Sequence, residues 1–173
     1  MTFGGFWIKV KPMEEKKEIT SNAVKKLALE AGYADCGITS AEPFAEYEAA
    51  IRDHMARFPD AAELYTSMLN RADPRKKTPW AESIIVCIRH YGKYRIPEGL
   101  SKYFGKNYLF DSRYQKNPDH PSDGRFKESL RELGLRVRQG GVPDRLAAAR
   151  AGVADIGKNC FAYSRHGSWI NIE

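Results

Sequence analysis

Cysteine is scarce in this chain and never clustered. Three occur in 173 residues, Cys36, Cys87 and Cys160, and no two of them stand in a C-x-x-C spacing. A ferredoxin-type iron–sulfur cluster needs closely spaced cysteines. An odd, scattered set argues against a disulfide framework and against a zinc or cluster site made by this chain alone. Small, partly buried thiols are the expectation. Histidine is as thin: His54, His90, His120 and His166 stand far apart, without metal-ligand spacing. They read as surface or capping residues, and no metal site is expected. No apolar run approaches the roughly 20 residues of a membrane span. Met1 to Lys11 mixes aromatics with lysines and has neither an apolar core region nor a small-residue cleavage site, so no signal peptide is read. A cytoplasmic protein away from the membrane is expected.

What is present describes a globular domain. Hydrophobic residues make up 42% and charged residues 29% of the chain, ordinary proportions for a soluble fold. The length suits one domain, 1–173, with a real core, and about 1–15 as a flexible or edge segment. The formal net charge is +6. Basic residues gather at Arg71, Arg75, Lys76 and Lys77 and again over 125–138. Such a balance favours polyanions or phosphate-bearing ligands, or else forms a solvated basic face.

Periodicity sets out the elements. Val24, Leu27, Ala28 and Ala31 repeat at helical spacing, so 14–32 reads as a helix stopped by Gly32. Tyr33 to Thr39 follows as a strand. A second helix is expected over about 42–57, opening near Pro43, with Phe44, Tyr47 and Ile51 as its inner stripe. Ala72-Asp73-Pro74 and Thr78-Pro79 punctuate a loop. Ile84 to Ile88 is apolar and rich in β-branched residues, a strand buried on both faces. The stretch 92–121 has no sustained period and carries Tyr94, Tyr103, Phe104, Tyr108, Phe110 and Tyr114. It is either a wall over a flat ligand or a loop held to the core by its rings. Residues 122–134 read as a helix with Ser122 as N-cap and Gly134 as stop. Leu135 to Arg138 reads as a brief strand, and Pro143 to Ala151 as an alanine-rich helix ending at Gly152. Cys160 to Tyr163 and Ser168 to Ile172 read as strands joined by a turn near His166-Gly167. Interspersed helices and strands make the class α/β (α+β).

Gly152-Val-Ala-Asp-Ile-Gly157-Lys158-Asn159 nearly matches the phosphate-binding pattern G-x-x-x-x-G-K-[ST]. That motif needs a hydroxyl for magnesium at its last position and a strand-to-helix context. Here the last residue is Asn159, and the segment follows a helix and leads into a strand, so a nucleotide-hydrolysing loop is not expected. Gly157 still permits a tight turn or a close backbone approach. Lys158 brings a cation, and Asn159 a donor and an acceptor, a set that could hold the amide and phosphate groups of a large cofactor. Gly140-Gly141 opens the helix before it, where Asp144 reads as a helix-stabilising first-turn carboxylate.

The run Val142-Pro-Asp-Arg145 through Gly157-Lys158-Asn159 resembles a segment of the epoxyqueuosine reductase family that reads approximately P-V-x-E-R-x-x-A-x-x-A-G-L-G-x-x-G-K-N. Gly167-Ser168-Trp169 is similar to the family's G-S-W. Arg71-Ala-Asp-Pro-Arg75 resembles its A-D-x-R region, and Ala81-Glu-Ser-Ile-Ile-Val86 its A-x-S-V-I strand. Ala31 to Ile38 followed by Ala41-Glu-Pro-Phe44 resembles its first helix–strand corner. Tyr103-Phe-Gly-Lys-Asn-Tyr108 resembles its Y-x-x-G-x-D-Y-H loop. The resemblance runs from about 20 to 173 and implies a mixed sheet flanked by helices, related to reductive dehalogenases and, more distantly, to flavin nitroreductases. It implies cobalamin as cofactor, usually held without a histidine from the protein, and electrons from a following ferredoxin-like domain with [4Fe–4S] clusters. It also implies a tRNA or another anionic substrate. Arg145, Gly157, Lys158 and Asn159 match the corrinoid-contacting segment, and Tyr108 matches a pocket-loop tyrosine.

The resemblance breaks at two places. The family's general acid sits in a V-D-T-G-P-like run, and Arg138 stands there in this chain. An arginine is effectively never deprotonated and cannot serve as that acid near neutral pH, though it can bind an anion or stabilise developing negative charge. Arg138 and Tyr108 are therefore the candidate catalytic residues of a member with a divergent substrate, Tyr108 as proton donor. Cluster cysteines would lie beyond Glu173, so the ferredoxin-like domain is expected to be absent from this chain. The chain is expected to be the cofactor domain of a longer reductase or a truncated product, unable to turn over alone. A non-catalytic cobalamin-binding or trafficking module, a flavin reductase on a related fold, and a basic tRNA-binding protein remain the alternatives.

Overall fold

The computed structural model describes residues 19–106 and 123–173. The helices are α1 (Ser21–Glu30), α2 (Ala45–Arg57), α3 (Ala62–Leu69), α4 (Asp123–Glu132) and α5 (Asp144–Arg150). The strands are β1 (Asp35–Ser40), β2 (Ser83–His90), β3 (Asp155–Ile156), β4 (Ala162–Tyr163) and β5 (Ile170–Ile172). One sheet has the order β1-β2-β5, a second consists of β3 and β4, and the pairings described are antiparallel. The class is the expected α/β, a small sheet flanked by helices.

Strand β2 organises the molecule because it is buried on both faces, as its run of β-branched residues predicts. Its side chains alternate between two cores. Cys87 and, less deeply, Ile85 join Val24, Ala28, Ala31, Tyr33, Cys36, Phe126 and Leu130 under α1 and α4. Val86 and Ile88 join Phe44, Ala147, Ala148, Val153, Ala154 and Ala162 under α2 and α5. Ile88 is wholly buried, which contributes about 1.5–3 kcal/mol from its side chain. The alanines of α5 matter here: Ala147 and Ala148 are buried, and larger residues would hold the helix away from the sheet.

Gly37 shows how closely the layers meet. A Cβ built there would lie 2.6 Å from the Ala151 carbonyl oxygen and 2.8 Å from Val153 Cγ1. A glycine inside a strand commonly marks such an approach of another backbone. The approaching backbone is the corner between α5 and β3, so this one contact sets where the segment after α5 begins.

The other expected elements are in place with shifted ends. Gly32 follows α1, with the Tyr33 amide donating to the Ala28 carbonyl at 3.1 Å. Ile51 and Phe44 are buried as foreseen, but Pro43 precedes the N-cap Phe44 instead of entering the first turn. The expected strand Leu135–Arg138 is irregular, with no ladder partner among the described residues; Leu135 and Val137 pack on the α1/α4 core. Helix α3, two short 3₁₀ turns at Pro59–Ala61 and Pro74–Lys76, and strand β3 were not foreseen. Residues 1–15, Ser122 and Tyr108 lie outside the described residues.

Candidate cofactor site

Three segments that carry the family resemblance converge in space. Ala41-Glu-Pro-Phe44 leads into α2, Arg71-Ala-Asp-Pro-Arg75 precedes β2, and the long run from Val142 contains α5. The Phe44 amide donates to the carbonyl of the fully buried Ala72 at 2.7 Å. Arg75 pairs with Glu42 at 2.7 Å. Arg150, at the end of α5, donates to the Glu42 carbonyl at 2.8 Å, and its guanidinium carbon lies 3.6 Å from the Phe44 ring centre. These contacts fix α5 against the start of α2, and α5 in turn positions the β3–β4 hairpin.

The Gly157–Asn159 segment is the loop of that tight hairpin. Asp155 pairs with Tyr163 and Ile156 with Ala162. The Gly157 amide donates to the Phe161 carbonyl at 2.9 Å, and the Cys160 amide to the Gly157 carbonyl at 2.9 Å. Asn159 Oδ1 accepts from the Phe161 amide at 3.2 Å while its Nδ2 donates to Tyr163 Oη at 2.9 Å. Each amide atom of Asn159 keeps capacity for a further bond. A Cβ at Gly157 would stand 2.6 Å from Tyr163 Cε2 and 2.8 Å from Asn159 Oδ1, so the close approach here is to the loop's own ring and amide. Cys160 adopts a left-handed φ of 61°, rare outside glycine, asparagine and aspartate. Arg145, in the first turn of α5, donates to the Cys160 carbonyl at 2.5 Å and so ties the loop back to the helix. Lys158 projects from the tip, exposed and without a hydrogen-bond or ion-pair partner among the described residues. A hairpin between two strands confirms that the near-match to a phosphate-binding loop lacks its strand-to-helix setting.

Beside this loop lies an open cleft of about 480 Å³, within the range of small-molecule and cofactor sites. Its lining draws Asp144 and Arg145 from α5, Asn159, Cys160 and Phe161 from the hairpin, and Tyr91, Ser168, Ile170, Asn171 and Ile172 from β5 and the chain around it. Phe161, exposed and not foreseen as a site residue, presents its ring at the rim; Phe161 and Tyr163 stand two apart in an expected strand, so the sequence did place both on one side. Tyr47, packed beside the second core, is held above its ordinary pKa by burial, with Arg71 and Arg145 opposing and Asp144 adding to the rise. Arg138 is elsewhere: it is exposed, and its guanidinium donates to the Lys77 carbonyl. Among the expected site residues, then, the structure gathers Arg145, Gly157, Lys158 and Asn159 at one hairpin, with Arg138 apart from the cleft lining.

Basic and aromatic residues stand around and after Tyr91, which lines the cleft. Trp169 meets Tyr91 edge-on at 6.1 Å, and Lys106 lies 5.1 Å over the Trp169 ring while donating to the Gly92 carbonyl at 3.0 Å. Tyr103 and Phe104 are exposed, so these two rings do not pin their loop to the core. His90 and His166 stack at 5.6 Å. Burial holds His90 below its ordinary pKa, helped by His166, Lys93 and Lys106. Among the described residues no group of three or more His, Cys, Asp and Glu side chains could hold a metal ion, and no helix is long and apolar enough to cross a membrane.

Comparison with known proteins gives the fold its relatives. No family model matches the chain, and no curated protein matches it. Among solved structures, epoxyqueuosine reductase from Streptococcus thermophilus superposes with a TM-score of 0.62 at 21% identity, covering 86% of this chain and 43% of that one. Epoxyqueuosine reductase from Bacillus subtilis, with its catalytic loop swung out of the active site, gives 0.57 at 18% identity over 87% of this chain and 43% of that one. An epoxyqueuosine reductase structure with an epoxyqueuosine-modified tRNA-Tyr stem loop gives 0.57 at 18% over the same shares. The chain therefore has the fold of part of these reductases and spans less than half their length.

Proposed function

We propose that this chain is the cofactor domain of a corrinoid-dependent reductase related to epoxyqueuosine reductase, with cobalamin held at the cleft beside the Gly157–Asn159 hairpin. The observation that carries the reading is the hairpin itself. The four residues matched to a corrinoid-contacting segment, 145 and 157–159, come together with a free cation, a half-engaged amide and an open cleft beside them. The residues fit such a group in kind. Lys158 would meet a phosphate, Asn159 a propionamide, and Phe161 and the isoleucines of β5 the flat apolar face. A bound corrinoid supplies low-potential reductive chemistry; the protein supplies binding, orientation and a surrounding charge.

The substrate proposed is a tRNA or another anionic molecule. The net charge of +6 and the exposed Tyr103 and Phe104 among Lys93, Lys102 and Lys106 favour a polyanion with bases to stack on. Tyr108 is the proposed proton donor. Arg138 is proposed as an anion contact that takes no part in acid–base chemistry, and the substrate is taken to diverge from epoxyqueuosine for that reason. Electrons are taken to come from a ferredoxin-like iron–sulfur domain or protein.

The test is anaerobic titration of the purified chain, and of a version extended through the cluster domain, with cob(II)alamin, followed by absorption and EPR spectra. Saturable binding with a change at cobalt's lower face is expected. Lys158→Ala should weaken it about tenfold, the loss of one charge-assisted hydrogen bond, without lowering thermal stability. Absence of binding by both proteins overturns the reading.

A further inference from the structure

The two buried cysteines lie far apart in sequence and face each other in space. Cys36 of β1 and Cys87 of β2 are directly opposed partners, 51 residues apart along the chain, with sulfurs 3.9 Å apart. We propose that Cys36 and Cys87 are a reversible disulfide site, closed by a peroxide and reopened by a dithiol, that covalently locks β1 to the central strand.

The ladder supports this geometry. The Cys87 amide donates to the Glu173 carbonyl at 2.7 Å and its carbonyl accepts from the Glu173 amide at 2.9 Å. Both backbone groups of Cys87 therefore point to the β5 side and away from β1. Counting from the bonded Ala41–Glu82 pair at the other end of the ladder, where the amide-to-carbonyl distance is 2.9 Å, gives the same phase. The Cys36–Cys87 pair is thus a non-hydrogen-bonded pair. Opposed Cα atoms come to about 4.5 Å in such pairs, inside the roughly 4.4–6.8 Å that disulfides span. Closing the sulfurs from 3.9 Å to the bond length of about 2.05 Å is a matter of side-chain rotation, with no change of register.

The surroundings suit a small oxidant. Val24, Ala28, Phe126 and Leu130 pack in the same buried cluster, and both cysteines are buried. The Cys87 thiol donates to the Cys36 sulfur, which favours the thiolate at Cys36. That hydrogen bond holds Cys36 below its ordinary pKa against the opposing effect of burial. The chemistry balances with hydrogen peroxide. The Cys36 thiolate attacks one peroxide oxygen, the O–O bond breaks, and hydroxide leaves to give a sulfenic acid. Cys87 then attacks that sulfur and displaces water. Two thiols and one peroxide give one disulfide and two waters, the thiols oxidised and the peroxide reduced. Cys160, exposed on the cofactor loop, has no such opposed partner and serves as the internal comparison.

The experiment uses the whole chain with its native cysteines. Folded protein is treated with hydrogen peroxide, denatured in N-ethylmaleimide, and mapped by mass spectrometry without reduction. The expected result is a monomer lacking two alkylations, with the Cys36 and Cys87 peptides joined, and full alkylation restored by dithiothreitol. The oxidised protein should also melt several degrees higher, because the bond closes a long loop in the unfolded chain. Cys36→Ser and Cys87→Ser should each abolish the link; the mapping on unmutated protein stands even if a variant fails to fold. Complete alkylation of Cys36 and Cys87 after peroxide, their overoxidation without linkage, or linkage to Cys160 would each overturn the proposal.

Discussion

Replacing Gly37 with alanine tests the packing that places the hairpin. The added methyl would come within 2.6 Å of the Ala151 carbonyl oxygen, 2.8 Å of Ala151 Cβ and 2.8 Å of Val153 Cγ1. The nearest atom belongs to backbone, which cannot rotate aside, so the α5–β3 corner must move. Overpacking of this kind costs about 1–3 kcal/mol, while alanine regains roughly 0.5–1 kcal/mol of the backbone entropy that glycine loses on folding. The net is a loss of up to about 2.5 kcal/mol, centred near 1 kcal/mol, with Tm falling by about 2–4 °C for each kcal/mol in a chain of this size. Differential scanning calorimetry reads it directly. If the proposed corrinoid site stands, its affinity should fall as well, because the displaced corner carries the loop from Gly157. Truncating Val153 to alanine removes one of the three clashes and leaves the carbonyl. The double variant should therefore lose less than the sum of the two single losses, by about 0.5 kcal/mol or more, without full rescue. An unchanged or raised Tm for Gly37→Ala would refute the argument, and full rescue by Val153→Ala would show that the side chain, and not the backbone, limits the space.

Arg145→Met should leave Tm nearly unchanged, since Arg145 is exposed. It should weaken cob(II)alamin binding about tenfold, because the bond to the Cys160 carbonyl that shapes the loop is lost; titration beside the unmutated chain measures it. The His90–His166 pair predicts a pH dependence. His90 has its folded pKa below the ordinary 6.5, so the unfolded chain binds the extra proton first and stability rises with pH through that window. Acidification below about 6.5 should lower the denaturation midpoint, and His90→Gln should flatten that part of the profile; an identical slope in both proteins would remove His90 as its source.

The residue order alone determined those features in which neighbours along the chain decide the outcome. The helical repeat of Val24, Leu27, Ala28 and Ala31 described α1, and Gly32 its end. The β-branched run over 84–88 described a strand covered on both faces, because such a run has no polar side to show to water. The alanines before Gly152 described a short helix. The unsuitability of Asn159 for a phosphate-binding loop was also legible, because an amide has no hydroxyl to offer a magnesium ion.

Tertiary structure decided the rest. Strand β3 is two residues long and exists because Asp155 and Ile156 meet Tyr163 and Ala162 across the hairpin; nothing local to Asp155 announces it. Leu135 to Arg138 has strand-like residues but pairs with no strand among the described residues, and a strand is a property of two segments. The basic residues that suggested a polyanion are partly cross-links within the fold: Arg75 holds Glu42, Arg136 lies over Trp80 at 4.3 Å, and Arg138 reaches Lys77. Charge is visible in a sequence, but its partner is not. Cys36 and Cys87, read as unrelated thiols, became a pair only through the register of β1 on β2, because only the folded ladder brings residues so distant in the chain face to face.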